Sequence, residues 1–174
     1  MFEYCFFKYQ SLGNDFILLD FLEKETSLFY QNFAKKGWSY LVEKTCQRHF
    51  GIGSDGILVL LKDKVTKLPE ILIFNSDGTR AEICLNGLRC VVKHLYCIHK
   101  FEKKFDVKMG NKIIHCQLDK FENDIYVTTK IVSPIYLEEK CINIEGKKFC
   151  GHIIDAGNQH FIIFEKTNME WLKK

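Results

Sequence analysis

One stretch limits what this chain can fold into more than any other. It covers residues 71–96, where I-L-I-F is followed by N-S-D-G and, six residues on, by C-L-N-G-L-R-C-V-V-K-H-L-Y. Ile71 to Phe74 is a short run of β-forming residues and reads as a buried strand. Asn75-Ser76-Asp77-Gly78 carries turn chemistry. Leu88, Val91, Val92 and Leu95 then recur at i, i+3, i+4 and i+7, the period of one apolar helix face. Cys84, Asn86 and Gly87 fall where that helix begins.

The first N–H groups of a helix have no intrahelical acceptor, and the dipole places partial positive charge there. A carboxylate can dock on those amides. The same field favours thiolate over thiol in a cysteine held beside them. Cys84 is therefore a candidate nucleophile or base. By position alone the reading as a small core residue is favoured, that being the commoner fate of a lone cysteine.

Upstream, Glu3 to Tyr9 and Phe16 to Leu19 read as strands, with Gly13-Asn14-Asp15 at the bend. Asn14 is either a turn residue, tolerant of left-handed backbone, or an amide offered to a ligand. Thr26 or Ser27 caps a helix running to Lys36. Gly37 interrupts it, and Trp38 to His49 continues as helix with Leu41, Val42 and Cys46 on one side. Gly51-Ile52-Gly53-Ser54-Asp55-Gly56 fits G-x-G-x-x-G, but it follows a helix and opens the strand Ile57 to Leu61. A dinucleotide site has the reverse context, so nucleotide binding is rejected.

Downstream, Asn111 to Leu118, Ile125 to Thr129 and Lys140 to Cys150 read as strands, with turns at Gly110, Asn123-Asp124 and Gly146. Ser133-Pro134 marks a linker. That places one domain at residues 1–130 and the start of a second, truncated one at 131–174. Phe161 to Phe164 is a further strand. Thr167 caps a helix from Asn168 that has barely begun at Lys174, so the chain is expected to be a fragment.

The composition is that of an ordinary globular chain, 47% hydrophobic and 27% charged. A net charge of +3 is too small to imply nucleic acid or an anionic membrane as partner. No apolar run approaches the roughly 18–20 residues of a membrane span, and the first residues do not have the pattern of an export signal. The eight cysteines are accordingly expected to be reduced and mostly buried, in the cytoplasm. Cys84, Cys90 and Cys97 are spread along and around one helix and make a poor zinc set, so no metal is expected.

Four segments together resemble diaminopimelate epimerases. They are Lys8 to Phe16 (KYQSLGNDF), Arg48 to Gly56 (RHFGIGSDG), Phe74 to Gly78 running on through Cys84 to Cys90 (CLNGLRC), and Gly157 to Phe161 (GNQHF). Their order and spacing are those of the family, and they span nearly the whole chain. The resemblance implies an α+β fold of two similar halves, each a curved mixed sheet wrapped around a central helix, the second half here incomplete. It implies a cytoplasmic enzyme without cofactor or metal that interconverts LL- and meso-2,6-diaminopimelate in lysine and peptidoglycan biosynthesis. Two thiols, one from each half, would face opposite sides of the substrate α-carbon.

Carried over by position, Cys84 matches the catalytic cysteine of the first half and His160 the histidine that partners it. Asn14, Asn75 and Asn158 match substrate-contacting asparagines. Asn86 and Gly87 match the helix start whose amides hold the α-carboxylate. The chemistry suits these residue types. Removing an α-proton drives charge into the carboxylate, where preorganised N–H donors lower the barrier most. A histidine suits proton exchange at neutral pH, and asparagines present both donor and acceptor to distal groups. Asp15, Asp55 and Asp77 are read as turn-forming. Leu85 stands where the family has glycine; a position needing φ > 0 would strain it, and its side chain would crowd the carboxylate. Gln159 replaces a proline. No other cysteine has the context of a second catalytic thiol. Two alternatives stand beside this: a racemase or isomerase of another amino acid, and an inactive binding protein of the same fold. A homodimer is compatible with the family and specified by no pattern in the chain.

Overall fold

The computed structural model describes residues 5–23, 37–122, 124–131 and 133–164. The helix expected to end at Lys36 and the one expected from Asn168 lie outside these residues, as do Glu3 and Tyr4 of the first expected strand. Chain contacts divide the molecule into two units, Met1–Ile131 and Val132–Lys174.

In the first unit, β1 (Phe7–Ser11) and β2 (Asn14–Asp20) form a hairpin, helix α1 (Trp38–Cys46) follows, and β3 (Gly56–Lys62) and β4 (Pro69–Asn75) lead to the short β5 (Arg80–Ala81). Helix α2 (Leu85–Cys97) then precedes the meander β6 (Lys104–Met109), β7 (Lys112–Phe121) and β8 (Asp124–Lys130). The sheet order is β1-β2-β3-β4-β6-β7-β8, with β5 on β4. The β2–β3 and β4–β6 pairs are parallel and the others antiparallel. This is an α+β fold in which a curved mixed sheet wraps α2, which touches strands from β1 to β8.

Alternation in the central strands explains the two-sided core. Along β3, Leu58 and Leu60 join the cluster beneath α2, together with Leu88, Val91, Val92 and Leu95. Ile57, Val59 and Leu61 point the other way and pack with Val42 and Cys46 of α1. All five strand residues are buried. Successive strand side chains take opposite faces, so this apolar run serves two helices at once. Each of the four α2 face residues contributes at most about 1.5–3 kcal/mol by burial. That sum outweighs any capping contribution of about 1 kcal/mol, so packing decides where α2 lies.

Several boundaries differ from those expected. α1 stops at Cys46 rather than His49, because the chain turns back there: the Ile52 and Gly53 N–H groups bond the Thr45 carbonyl, and the Ser54 N–H bonds that of Cys46. The first hairpin turns at Leu12 and Gly13, both with positive φ, so that Ser11 pairs with Asn14. Asn14 and Asp15 thus begin β2 instead of forming the bend. Gly56 of the G-x-G-x-x-G segment opens β3, and a Cβ there would lie 2.4 Å from the Phe74 carbonyl oxygen. That glycine serves close strand approach.

The second unit holds β9 (Ile135–Ile144), β10 (Lys147–Asp155) and β11 (Gln159–Ile162) as one antiparallel sheet in the order β11-β10-β9. Cys141 and Cys150 are register partners and are joined by a disulfide. This corrects the expectation of reduced cysteines at those two positions. Of the other six, Cys46, Cys90 and Cys116 are buried, Cys84 and Cys97 half-buried, and Cys5 exposed. No helix among the described residues is long and apolar enough to cross a membrane.

Candidate active site

Cys84 is the N-cap of α2. Its backbone is extended (φ −145°, ψ 106°), and its Sγ accepts a hydrogen bond from the Gly87 N–H at 3.4 Å. The helix proper starts with the Leu88 N–H bonding the Cys84 carbonyl at 2.9 Å. The Leu85 and Asn86 N–H groups have no acceptor among the described residues, the expected state of the first amides of a helix. A half-buried sulfur therefore sits beside two unpaired donors at the positive end of a thirteen-residue helix. Such an arrangement can hold a carboxylate on the amides with the sulfur alongside.

Gly87 has a steric reason to be glycine: a Cβ would meet Leu58 Cδ2 at 2.8 Å and Cys84 Sγ at 3.6 Å. The Asn86 side chain turns to its own helix, its Oδ1 accepting from Arg89 Nη1 at 2.6 Å. The feared strain at Leu85 is absent. It is the first residue of α2, it is not among the residues with positive φ, and its side chain packs half-buried against the core beneath the helix.

The sheet register brings Asn14 and Asn75 to the same end. Asn14 opens β2, Phe16 pairs with Gly56 at the start of β3, and Gly56 pairs with Asn75 at the end of β4. Only β3 separates their strands, about 9–10 Å across at the usual strand spacing. The contact between Gly87 and Leu58 sets the start of α2 over this end of β3. Asn75, expected in the turn, is the last strand residue, and its Nδ2 donates to Thr79 Oγ1 at 3.0 Å.

Sequence reasoning missed the group that fixes Asn14. Asp55 Oδ2 accepts from Asn14 Nδ2 at 3.0 Å and from the Asp15 N–H at 3.0 Å. Its backbone carbonyl accepts from the Ser76 N–H at 3.1 Å, next to Asn75. Arg48 bridges Asp15 Oδ1 (2.8 Å) and Asp55 Oδ1 (2.6 Å), and Lys8 pairs with Asp15 (2.7 Å) and with the Gly53 carbonyl. The Asp15 carboxyl is held well below the usual carboxylate range, chiefly by the Arg48 hydrogen bond acting against burial, with Lys8 adding to it. Asp15 and Asp55 are thus clamps between segments and not turn formers. Asp77 does form its turn, accepting from the Thr79 N–H and hydroxyl. The one available signal, the basic residue seven positions before Asp55 inside the same segment, pointed to an ion pair and not to Asn14.

The buried thiols stay protonated at neutral pH. Burial pushes Cys90 up to about 11 and Cys116 up to about 12, and raises Cys46 as well. In the second unit, Asn158 lies in the turn between β10 and β11, where its carbonyl accepts from the Ala156 N–H at 3.0 Å. His160 is exposed on β11, opposite Ile154. Gln159 takes a ladder position opposite Asp155.

Residues 6–133 match the family described as diaminopimelate epimerase. The chain is 33% identical over 173 residues to the diaminopimelate epimerase of Carboxydothermus hydrogenoformans, covering 91% of this chain and 59% of that one. It is 31% identical over 172 residues to that of Aquifex aeolicus (94% and 60%), and 42% over 181 residues to that of a Picosynechococcus species (91% and 59%). The chain thus spans about 60% of the length of these curated relatives. Among solved structures, a predicted epimerase from Pseudomonas aeruginosa superposes with a TM-score of 0.54 at 10% identity, over 87% of this chain and 53% of that one. At that identity the likeness concerns the fold.

Proposed function

The chain belongs to the diaminopimelate epimerase family, and from that premise we propose that it carries the first-thiol half of a cofactor-independent epimerase acting on LL- and meso-2,6-diaminopimelate. The observation that carries this reading is the Cys84 sulfur beside the unpaired Leu85 and Asn86 amides.

In the proposed reaction the substrate α-carboxylate docks on the start of α2, at Asn86 and Gly87, with the Leu85 and Asn86 N–H groups as its donors and the Gly87 N–H left to the Cys84 sulfur. Cys84, as thiolate, takes the α-proton. The electron pair left on the α-carbon delocalises into the carboxylate, where the helix amides already point; donors aligned before the step need no reorganisation during it. Return of a proton to the opposite face completes inversion and is assigned to no residue of this chain. Asn14 and Asn75 would hold the distal amino and carboxylate groups, and Asn158 and His160 would act from the second unit, His160 as proton partner of Cys84. A substrate lacking the distal groups would leave these amides unpaired, the usual source of strong discrimination. The reading places the protein in lysine and peptidoglycan-precursor synthesis and in the cytoplasm; Cys84 is among the free cysteines.

The test is solvent exchange at the substrate α-carbon. The chain is incubated with LL-diaminopimelate in D2O and α-deuterium is followed by NMR or mass spectrometry. Exchange in the unsubstituted chain and none in Cys84→Ala is the expected result. Equal exchange in both, or no exchange and no substrate-induced thermal shift in the folded chain, overturns the proposal.

A further inference from the structure

At the far end of α2 from Cys84, three side chains from separate places in the sequence converge. His94 Nε2 lies 3.0 Å and His99 Nε2 2.6 Å from the same atom, Asp20 Oδ2. All three ligand atoms lie within 4.8 Å of one another. We propose that Asp20, His94 and His99 bind one divalent transition-metal ion of the zinc class.

The donor set is two imidazole nitrogens and one carboxylate oxygen, which suits zinc and its neighbours and not calcium or magnesium, whose ligands are oxygens. Zinc bonds of about 2.0–2.1 Å put tetrahedral ligands roughly 3.3 Å apart. The present contacts, made through hydrogens, need to open by less than about 1 Å to admit the ion.

The ligands are also held from behind, as metal ligands are. His94 Nδ1 meets the Tyr9 hydroxyl at 3.1 Å, and Phe7 packs on the ring with centroids 4.5 Å apart. With metal on Nε2, Nδ1 carries the hydrogen and donates it to Tyr9. Asp20 Oδ1 accepts the Leu22 N–H at 3.0 Å, which fixes the carboxylate. His94 is fully buried, whereas the side chains of His99 and Asp20 are 13% and 16% exposed. The exposed side is the entry path.

The site is a clip between the end of β2 and the end of α2. His94 lies ten residues beyond Cys84, about 15 Å along the helix, so the ion takes no part in chemistry at the sulfur. Zinc there stabilises the fold to the extent that it binds the folded chain and not the unfolded one.

The metal-free chain is titrated with zinc sulfate by calorimetry and with Co2+ by absorption. The expected results are one ion per chain, a rise in Tm of several degrees that chelator reverses, and cobalt d–d bands without thiolate charge transfer. His99→Ala and Asp20→Asn, both at the accessible side, should weaken binding at least tenfold, and His49→Ala, an exposed histidine elsewhere, should leave it unchanged. Titration of the unsubstituted chain needs no variant to fold. No stoichiometric binding, a thiolate charge-transfer band, or undiminished affinity in His99→Ala would leave the cluster as a hydrogen-bond network and overturn the proposal.

Discussion

The Asn14 side-chain amide donates to Asp55 Oδ2 at 3.0 Å across 41 residues of sequence. With its nitrogen held by the carboxylate, the amide turns its Oδ1 the other way. Asp55 thus decides which end of Asn14 is left for a ligand, and its backbone carbonyl ties in the residue after Asn75. Asp55→Ala should raise KM about tenfold or more, the loss expected when an oriented hydrogen bond of about 1.5 kcal/mol is given up, with a smaller change in kcat. An unchanged KM in a folded variant would remove Asn14 from the substrate site.

Acid should separate Arg48→Met from the unsubstituted chain. Asp15 has a depressed folded pKa, so its contribution to stability is complete above the unfolded value near 3.9 and is lost as pH falls through the lower folded value. Removing Arg48 brings those two values closer, Lys8 still holding the folded one down. The variant should unfold in acid at a higher pH, and the two stability curves should converge once Asp15 is protonated in both. Identical acid midpoints by circular dichroism would show that the ion pair contributes nothing.

Cys84→Ala should abolish α-proton exchange while losing no more than about 1 kcal/mol of stability. The lost cap is a single N–H···S contact, weaker than the side-chain oxygen caps worth about that much. Denaturant melts measure the second half of this statement, and a much larger loss would make Cys84 a core residue first.

Leu85→Gly distinguishes packing from obstruction. As the first residue of a helix with its side chain against the core, Leu85 should cost about 1–2 kcal/mol to remove. The exchange rate should change by less than about threefold. A tenfold acceleration would mean that this side chain had been closing the site.

Short-range pattern made much of the first unit legible. The helix face of Leu88, Val91, Val92 and Leu95, the buried strand at residues 57–61 and the cap position of Cys84 all follow from spacing alone. The boundary at Asn14 did not, because Leu12 accepts a left-handed conformation that Asn usually supplies, and this moves the turn one residue back. Partners such as Asp55 for Asn14, or Asp20 for His94, leave no local trace. A carboxylate in a loop or at a strand end looks the same whether or not an amide 41 or an imidazole 74 residues away lies against it. The Cys141–Cys150 bond escaped for a similar reason: it depends on the register of β9 against β10, set by the turn at Glu145-Gly146.

From Gly56 to Leu61, β3 has no side facing water, and this governs how the site can vary. Deleting one residue between Ile57 and Leu61 would exchange the partners of α1 and α2 in a single step, handing leucines to one helix and β-branched side chains to the other. It would also drag Gly56 away from Phe74 and Asn75. The asparagines are therefore anchored to a rail that cannot slide: new specificity at this end of the sheet must come from substitution at the strand tips, since any change in strand length would dismantle both halves of the interior together.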